Sequence, residues 1–371
     1  MGNMTLFAAD TFDPEKAREF SAGFSERIEE LLTTFLAEQH EVISRIAPAA
    51  GELVTAISDL TRGGKRLRPL FAFWGFVGAG GDPTEETIVR AGAALELFQA
   101  AALIHDDLID RSDTRRGQPS IHRRFESLHR ASGWHRDASR FGEAASILAG
   151  DLCLSLSEQL FATIEPSVPQ ARAIFDRMRA QVMAGQYLDV LEESAGPAYG
   201  PADAVKRART IVRFKSAKYS TENPTLLGGA LAGASDELLE QYSRFALPLG
   251  EAFQLRDDVL GVFGDPAVTG KPAGDDLREG KRTEIIAHAL TLASDEDQAF
   301  IQGRLGAEDL SDEEVTRMRE LLDSCGALAA TEESIARLSD QGFAALEELE
   351  VSPMARHALR TLGLAAIRRT S

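Results

Sequence analysis

Apolar residues recur at three- and four-residue spacing along most of this chain, which is the pattern of amphipathic helices. Between residues 10 and 60 the segments 17–20, 28–32 and 35–38 repeat this spacing. Strand signals are weak, because alternating β-branched residues are few and the sequence contains no Asn-Gly pair. We therefore predict an all-α fold.

Glycine and proline divide the predicted helices, since both residues weaken or end a helix. The predicted breaks lie at residues 63–64, 78–83, 166–169, 196–201, 266–274 and 303–309. We interpret residues 1–371 as a single domain, with N-terminal helices in 1–50, a polar surface insertion at 124–141 and C-terminal helices in 290–371.

Composition narrows the class of protein. The chain of 371 residues is 44% hydrophobic, as in ordinary globular proteins. It has no apolar run long enough for a membrane span, and its two cysteines suit a reducing cytoplasm. The net charge of −18 argues against nucleic acid as a partner and repels anionic substrates at long range. A phosphate-bearing substrate would therefore need local cations or a metal.

The most informative segment is an apolar run at residues 91–104 that ends in three carboxylates. Asp106 and Asp110 are four residues apart, so on a helix they share a face and lie about 6 Å apart along the axis. Two such carboxylates repel each other, and Mg²⁺, which is held by one or two carboxylates plus substrate phosphates, removes that repulsion. Taken alone, the segment fits solvated acids at a helix end equally well.

A second acidic pair, Asp257 and Asp258, ends another apolar helix. Lys271 follows in a Gly/Pro-rich loop, and Lys281 lies shortly after it. Carboxylates and lysines together suit a metal–diphosphate complex, because the acids hold the metal and the lysines neutralise the remaining oxygen charge.

Basic segments accompany both acidic pairs. Residues 63–69, Gly-Gly-Lys-Arg-Leu-Arg-Pro, place cations at a predicted helix start, where only a bound anion would make them favourable. Arg115 and Arg116 follow Asp110 closely and can each grip phosphate oxygens at two points. Lys215 lies among mostly apolar residues. Each of these cations, taken singly, also fits a solvated surface position.

The order and spacing of the motifs resemble the trans-prenyltransferases, the head-to-tail isoprenyl diphosphate synthases, over about residues 50 to 290. The similarity is greatest to bacterial geranylgeranyl diphosphate synthases. The motifs in chain order are GGKRLRP, DDLID, RRG, GD, KSA, FQLRDD, TGK and DLREGK. The resemblance implies a helical bundle around a deep central cavity, usually a homodimer. It also implies condensation of isopentenyl diphosphate with an allylic diphosphate of C5 to C15.

Residue roles follow from the same resemblance. Three Mg²⁺ ions, which Mn²⁺ can replace, would be held by Asp106, Asp107, Asp110, Asp257 and Asp258. The second acid of each pair, Asp107 or Asp258, would lie next to the direct ligands or reach a metal ion through water. The allylic diphosphate would be bound by Arg115, Lys215, Lys271 and Lys281. Isopentenyl diphosphate would be bound by Lys65, Arg68, Gln99 and Arg116. Ser216 and Gln254 would line the carbocation region, and Arg368 and Arg369 are weaker candidates for a diphosphate clamp.

The sequence departs from the family pattern at three places. Gly261 stands where the last aspartate of the second acidic motif is usual. The insertion at 124–141 is longer than the usual connection. The loop after Lys271 has one extra residue, so Asp276 rather than Asp275 becomes the matching acid.

The expected reaction is ionisation of the allylic C–O bond, attack by the double bond of isopentenyl diphosphate, and loss of a proton to the departing diphosphate. No dedicated protein base is visible, and His105 is expected to be structural. The growing hydrocarbon tail should run along the helix that precedes Asp106. Ala101 and Ala102, one turn before Asp106, leave this lane open, and Phe98, two turns before Asp106, can close its far end. This favours a C20 product over C15.

Several alternatives stay open from the sequence. The protein could make farnesyl or longer polyprenyl diphosphates. It could also be a class I terpene cyclase or a head-to-head synthase, although cyclases lack the GGKRLRP segment. Gly261 keeps a non-catalytic regulatory subunit in consideration, and a plain helical scaffold with solvated acids is the simplest alternative.

Overall fold

The computed structural model describes residues 13–164, 168–264 and 274–367. The elements up to residue 164 are α1 (Pro14–Ser44), a 3₁₀ helix (Pro48–Ala50), α2 (Gly51–Thr61), α3 (Leu67–Gly78), α4 (Glu86–Ile109), β1 (Thr114–Arg115), β2 (Gln118–Pro119), α5 (Ile121–Ala131) and α6 (Ala138–Phe161).

Helices also make up the remainder of the described chain. The elements from residue 168 onward are α7 (Pro169–Tyr199), α8 (Ala204–Ile211), a π-helix (Val212–Glu222), α9 (Asn223–Leu231), α10 (Asp236–Phe263), α11 (Asp275–Glu279), α12 (Glu284–Leu292), α13 (Asp295–Arg304), α14 (Asp312–Ser324), α15 (Ala327–Glu347) and α16 (Pro353–Ile367). The predicted all-α fold is confirmed. Within the described ranges, the strands are limited to the short antiparallel ribbon β1–β2.

Local sequence sets many of the helix ends. Asp13 caps α1 by accepting a hydrogen bond of 2.9 Å from the backbone N–H of Glu15, and Ser235 caps α10 in the same way. Gly63 and Gly64, both with positive φ, separate α2 from α3 as predicted. The break predicted at 196–201 comes late, because Pro197 lies in the last turn of α7 and the helix continues to Tyr199.

Helix α4 lies at the centre of the main apolar cluster and packs against α3 and α6. It is the one helix in the described ranges that is long and apolar enough to cross a membrane, and 72% of its apolar window is buried inside the protein. That burial is expected of the core helix of a globular fold. Its carboxyl-terminal end carries the first acidic segment.

A close helix contact brings two distant polar residues together. A Cβ added at Gly185 on α7 would lie 2.3 Å from the backbone nitrogen of Lys215, so only glycine allows α7 and the π-helix to approach this closely. Asp189 lies one turn after Gly185 on α7 and thereby faces Lys215. The π-helix was not predicted, and such wide turns occur frequently at functional sites.

Candidate active site

The first acidic group lies at the end of α4. Lys215 Nζ is 3.2 Å from Asp106 Oδ1 and donates a hydrogen bond of 2.5 Å to Asp189 Oδ2. The side chains of Asp106 and Asp110 are 20% and 6% exposed, so both carboxylates are largely withdrawn from bulk water. One lysine therefore joins acids from α4 and α7.

Asp107 is engaged differently from its neighbours. Arg115 Nε donates to Asp107 Oδ1 at 2.8 Å, and a terminal guanidinium nitrogen donates to the same oxygen. The Asp107 side chain is 2% exposed. The guanidinium also lies 3.8 Å from Asp106 Oδ2. Asp107 thus orients Arg115 beside the first acidic group.

The second acidic group lies near the end of α10. Gln254 Nε2 donates a hydrogen bond of 2.8 Å to Asp258 Oδ1. Burial and the nearby Asp276 carboxylate raise the pKa of Asp258 well above its usual range. Asp257, the residue before it, is half-buried on the same helix.

Lys281 connects the first acidic group to the acids of α11. Its Nζ lies 3.2 Å from Asp110 Oδ2, 3.8 Å from Asp276 Oδ1 and 2.5 Å from Glu279 Oε2. Ser112 Oγ donates to Glu279 Oε1 at 3.3 Å, which adds a second tie between this segment and the chain following α4. Asp276 in turn lies against Gly261 on α10, so the carboxylates at the ends of α4 and α10 belong to one site.

Acids outnumber cations in this site. Burial and repulsion from Asp106 raise the pKa of Asp110 to about 6, although Lys281 opposes the shift. Burial, followed by repulsion from Asp189 and Asp110, raises the pKa of Glu193 to about 7. Burial is the larger cause of both pKa shifts, and repulsion between the carboxylates, which the lysines do not fully offset, adds to it.

The donor set fits a hard divalent cation. Asp106 Oδ1 is buried and accepts no hydrogen bond of good geometry among the described residues, although Lys215 Nζ is nearby. Carboxylate oxygens are the ligands that Mg²⁺ prefers. In the ranges that the structure describes, no three acids already form a complete metal cage. A Mg²⁺ ion would need oxygens from a substrate or water to complete its shell, as is usual for ions bound with phosphates.

A separate basic region lies at the start of α3. The Arg68 guanidinium stacks over the Tyr219 ring at 4.2 Å and donates to Ser220 Oγ at 2.8 Å. The Tyr219 hydroxyl in turn donates to Gln99 Oε1 at 2.5 Å. Arg68 and Gln99, both predicted as substrate ligands, therefore share one network, while Lys65 is exposed at its edge.

Arg116 completes this basic region from the β-ribbon. Arg116 and Gly117 have φ values of 53° and 75° and form the two-residue turn between β1 and β2. A Cβ added at Gly64 would lie 3.2 Å from Arg116 Nη1, so the guanidinium lies directly against Gly64. Arg115 and Arg116, although adjacent, serve different regions. Arg115 contacts the acidic group and Arg116 lies beside the start of α3.

The other predicted residues have less defined surroundings. Ser216 is half-buried in the π-helix, directly after Lys215. His105 Nε2 lies 3.3 Å from the Ile147 carbonyl oxygen, and a Cβ added at Gly150 would strike its ring, so the imidazole packs on α6. Lys271, Arg368 and Arg369 lie outside the described residues.

Glu193 and Glu279 were not predicted as site residues. Glu193 is four residues after Asp189 on α7, so the helical spacing of two acids was the available signal. Glu279 is two residues before Lys281, and its contact with that lysine depends on the turn through Gly280, which has a φ of 83°. Only a structure could reveal that contact.

The all-helical fold and the convergence of paired carboxylates, lysines and arginines define a site that can bind a metal ion together with a diphosphate group. Residues 51–322 match the sequence pattern of the family described as Polyprenyl synthetase. This match covers more than half of the chain, so the protein belongs to the polyprenyl synthetase family, whose members are prenyltransferases.

Individual relatives agree with this assignment. The chain is 31% identical to a geranylgeranyl diphosphate synthase of Sulfolobus acidocaldarius, over 71% of this chain and 74% of the relative. It is 30% identical to a nonaprenyl diphosphate synthase of Mycobacterium tuberculosis, over 88% of this chain and 86% of the relative. Relatives of this similarity thus make products of different length.

A solved structure is also similar over nearly the whole chain. It is a geranylgeranyl pyrophosphate synthase from Corynebacterium glutamicum, complexed with isoprenyl diphosphate and magnesium. The two chains are 39% identical, with a TM-score of 0.88, and the match covers 93% of this chain and 98% of that one.

Proposed function

We propose that this protein condenses isopentenyl diphosphate with an allylic diphosphate, in the presence of Mg²⁺, and that its main product is geranylgeranyl diphosphate. The observation that carries the proposal is the position of Lys281, between Asp110 and Asp276. It lies between the acidic group at the end of α4 and the carboxylate of α11 that lies against Gly261 on α10, where a metal-bound diphosphate would be held from both sides.

In this proposal Asp106, Asp110 and Asp257 hold the metal. The bound Mg²⁺, a set of three ions that Mn²⁺ can replace, supplies positive charge that makes the allylic diphosphate a better leaving group. Asp107 and Asp258, which were also predicted as ligands, lie next to the direct metal ligands. Asp107 orients Arg115, and Asp258 is held by Gln254.

The cations of the site bind the allylic diphosphate. Lys215, Lys281 and Arg115 each contact an acid within 4 Å in this structure, so they are already concentrated where the charge of the leaving group develops. Lys271, which lies outside the described residues, is proposed to join them. Ser216 and Gln254 direct oxygen dipoles towards the developing carbocation, and the departing diphosphate accepts the proton.

The basic region at the start of α3 is proposed as the isopentenyl diphosphate subsite. Arg68, Arg116 and Lys65 supply the positive charge, and Gln99 adds an amide. The stacking of Arg68 on Tyr219 fixes the plane of its guanidinium, so less side-chain entropy is lost when a diphosphate binds.

The C20 product depends on the lane along α4. Ala102 is half-buried, whereas Ala101 is fully buried in the core. Phe98 is also fully buried, and its ring meets that of Tyr219 edge-on at 5.5 Å. We propose that the growing tail passes Ala102 and that Phe98 limits its length.

Further proposals concern assembly and location. Large apolar side chains on α6 and α7 are exposed, namely Ile147 (48%), Leu148 (57%), Met183 (40%) and Tyr187 (65%). We propose that a second copy of this chain covers them in a homodimer. We further propose that residues 1–371 act as one unit in the cytoplasm, where Cys153 and Cys325, both free thiols, would stay reduced.

The test is incubation of the purified protein with Mg²⁺, isopentenyl diphosphate and a C5, C10 or C15 primer, followed by measurement of product length. Geranylgeranyl diphosphate formed from each primer supports the proposal, and omission of Mg²⁺ is the control. A cyclic hydrocarbon as product, or activity only after a partner synthase is added, would contradict it.

A further inference from the structure

The turn between α2 and α3 contains an arginine to which the proposed function gives no role. Arg66 has a φ of 47°, in the left-handed region that residues with a side chain rarely adopt, and its side chain is 3% exposed. Its guanidinium forms ion pairs with Glu29 on α1 and Glu96 on α4, and it donates a hydrogen bond of 2.8 Å to the Thr61 carbonyl oxygen. We propose that Arg66 is a positioning residue of the isopentenyl diphosphate subsite, which fixes the turn and cancels the charge of Glu96. This inference rests on the proposed function.

The ion pairs hold the turn at both ends. Glu29 accepts a hydrogen bond of 3.4 Å from the backbone N–H of Gly63 as well as pairing with Arg66, so one carboxylate contacts the start and the end of the turn. Thr61 is the last residue of α2, and its carbonyl contact joins the guanidinium to that helix. Lys65, the cation of this turn that is proposed to bind substrate, therefore lies on a backbone that Arg66 holds in place.

Glu96 explains why a further cation is needed beside the subsite. Its side chain is 8% exposed, and it lies on α4, three residues before Gln99, which is proposed to contact the substrate. Burial lowers the pKa of Arg116 and attraction to Glu96 opposes that shift, so the carboxylate acts on this proposed substrate ligand. A buried carboxylate without a cation of its own would compete with the substrate diphosphate for Arg116. Arg66 supplies that cation and leaves Arg116 available.

Arg66 and Arg68 differ in the partners that they already have. Both terminal nitrogens of Arg66 contact carboxylates. Arg68 forms no ion pair with any residue that the structure describes, and its buried Nε has no hydrogen-bond partner there. Its guanidinium contacts only the Tyr219 ring and the Ser220 hydroxyl among the interactions of these ranges. Arg68 is therefore able to receive a diphosphate, whereas Arg66 is occupied by the protein and acts through its neighbours.

The test is a double-mutant cycle with R66M, E96Q and the double variant R66M/E96Q. Methionine keeps an unbranched side chain and bears the same left-handed backbone, so R66M removes chiefly the guanidinium. KM is measured for each substrate, and the Kd of isopentenyl diphosphate is measured by calorimetry. The control is R62M, because Arg62 precedes the same turn and pairs with Asp59 at 3.2 Å, but its side chain is 70% exposed.

We expect R66M to raise KM for isopentenyl diphosphate roughly tenfold, as for the loss of one charge-assisted hydrogen bond, and to change KM for the allylic substrate little. E96Q alone should have a smaller effect, because Arg66 still pairs with Glu29. The double variant should recover most of the loss seen in R66M, since it no longer contains an uncompensated buried carboxylate. An arginine with only a structural role would not affect one substrate selectively. R62M should match the wild type.

An unchanged KM for isopentenyl diphosphate in R66M, or a double variant no better than R66M, would overturn the inference. If R66M does not fold, R66K decides the matter, because a lysine keeps the charge but lacks the planar fork that contacts two carboxylates. R66K should raise the same KM several-fold, and a wild-type value would overturn the inference. A wild-type protein that forms no prenyl product would refute the proposed function instead. The calorimetric Kd then tests Arg66 separately, and equal Kd values for R66M and wild type would count against it.

Discussion

Lys281 Nζ lies 3.2 Å from Asp110 Oδ2 and thereby connects the segment after α11 to the end of α4. The pair is almost buried, with side-chain exposures of 18% and 6%. Even so, the lysine does not return the pKa of Asp110 to its usual value, because burial and Asp106 act against it. The site therefore carries unfavourable charge in the absence of a metal.

This charge predicts a stability gain in D110N. The folded pKa of Asp110 is about 6 and its ordinary value is 3.8, so the folded state binds the proton more tightly than the unfolded state. The contribution of Asp110 to the free energy of unfolding is therefore most favourable below about pH 4, and it is lost as the pH rises through 6. Asparagine removes that loss. We expect Mg²⁺-free D110N to be more stable than wild type at pH 7 by roughly 1–3 kcal/mol.

Urea unfolding without Mg²⁺ at pH 4, 5, 6 and 7 measures this effect. The difference between D110N and wild type should be small at pH 4 and should grow with pH. D110N should also lose prenyltransferase activity at every pH. A stability difference that does not change with pH would contradict the charge argument.

Asp106 and Asp151 provide a matched comparison. We expect D106N to lower kcat roughly 100-fold or more, because an acid proposed to hold the metal loses its charge. Asp151 is also an aspartate near the end of α4, 3.7 Å from His105 Nε2, but its side chain is 62% exposed. D151N should retain activity within a factor of a few. Steady-state kinetics at several Mg²⁺ concentrations measure both, and equal losses would contradict the assignment.

The adjacent arginines of the β-ribbon should have separable roles. R116N should raise KM for isopentenyl diphosphate roughly tenfold, because a charge-assisted hydrogen bond is lost. It should leave KM for the allylic substrate nearly unchanged. Asparagine tolerates the φ of 53° better than arginine, so the variant should also be slightly more stable.

Arg115 supplies the contrast for that prediction. R115Q leaves Asp107, which is 2% exposed, without its guanidinium partner. It should therefore reduce both stability and kcat, with a smaller effect on KM for isopentenyl diphosphate. Initial rates with each substrate varied in turn distinguish the two variants. Identical kinetic effects of R115Q and R116N would show that the arginines share one subsite.

Product length should respond to Ala102. A102F places a ring on the half-buried face of α4, one turn before Asp106, and should shorten the main product by one isoprene unit. From sequence, Ala101 and Ala102 were both expected to leave this lane open. Ala101 is 0% exposed, so A101F should instead cost about 1–3 kcal/mol through overpacking. Chromatography of the products and thermal melting measure the two effects, and an unchanged product from A102F would exclude this lane.

The helices and the two acidic segments were predictable from sequence because each depends on local spacing. Asp106 and Asp110 share a helix face whatever the rest of the fold does. The order of the basic motifs was equally visible, since it is a property of the chain itself.

Other features depend on how distant segments meet. The contact between Gly261 and Asp276 joins α10 to α11 across residues 265–273, which lie outside the described ranges. The π-helix at Val212–Glu222 has no distinctive sequence pattern, and it packs against α7 and α10. The pairing of Asp107 with Arg115 follows from the turn after α4, which no helical periodicity describes.

The two-residue turn at Arg116 and Gly117 has a geometric consequence. Because Arg115 and Arg116 are consecutive, the regions proposed for the two substrates are separated, at this edge, by one peptide unit of fixed length. Helices can shift against one another when substrates bind, but a covalent spacer cannot stretch. One residue inserted between these arginines would move them apart by about 3.3 Å. The ribbon therefore sets a fixed spacing between the regions proposed for the allylic diphosphate and for isopentenyl diphosphate. Its length should tolerate less variation than that of the surrounding loops.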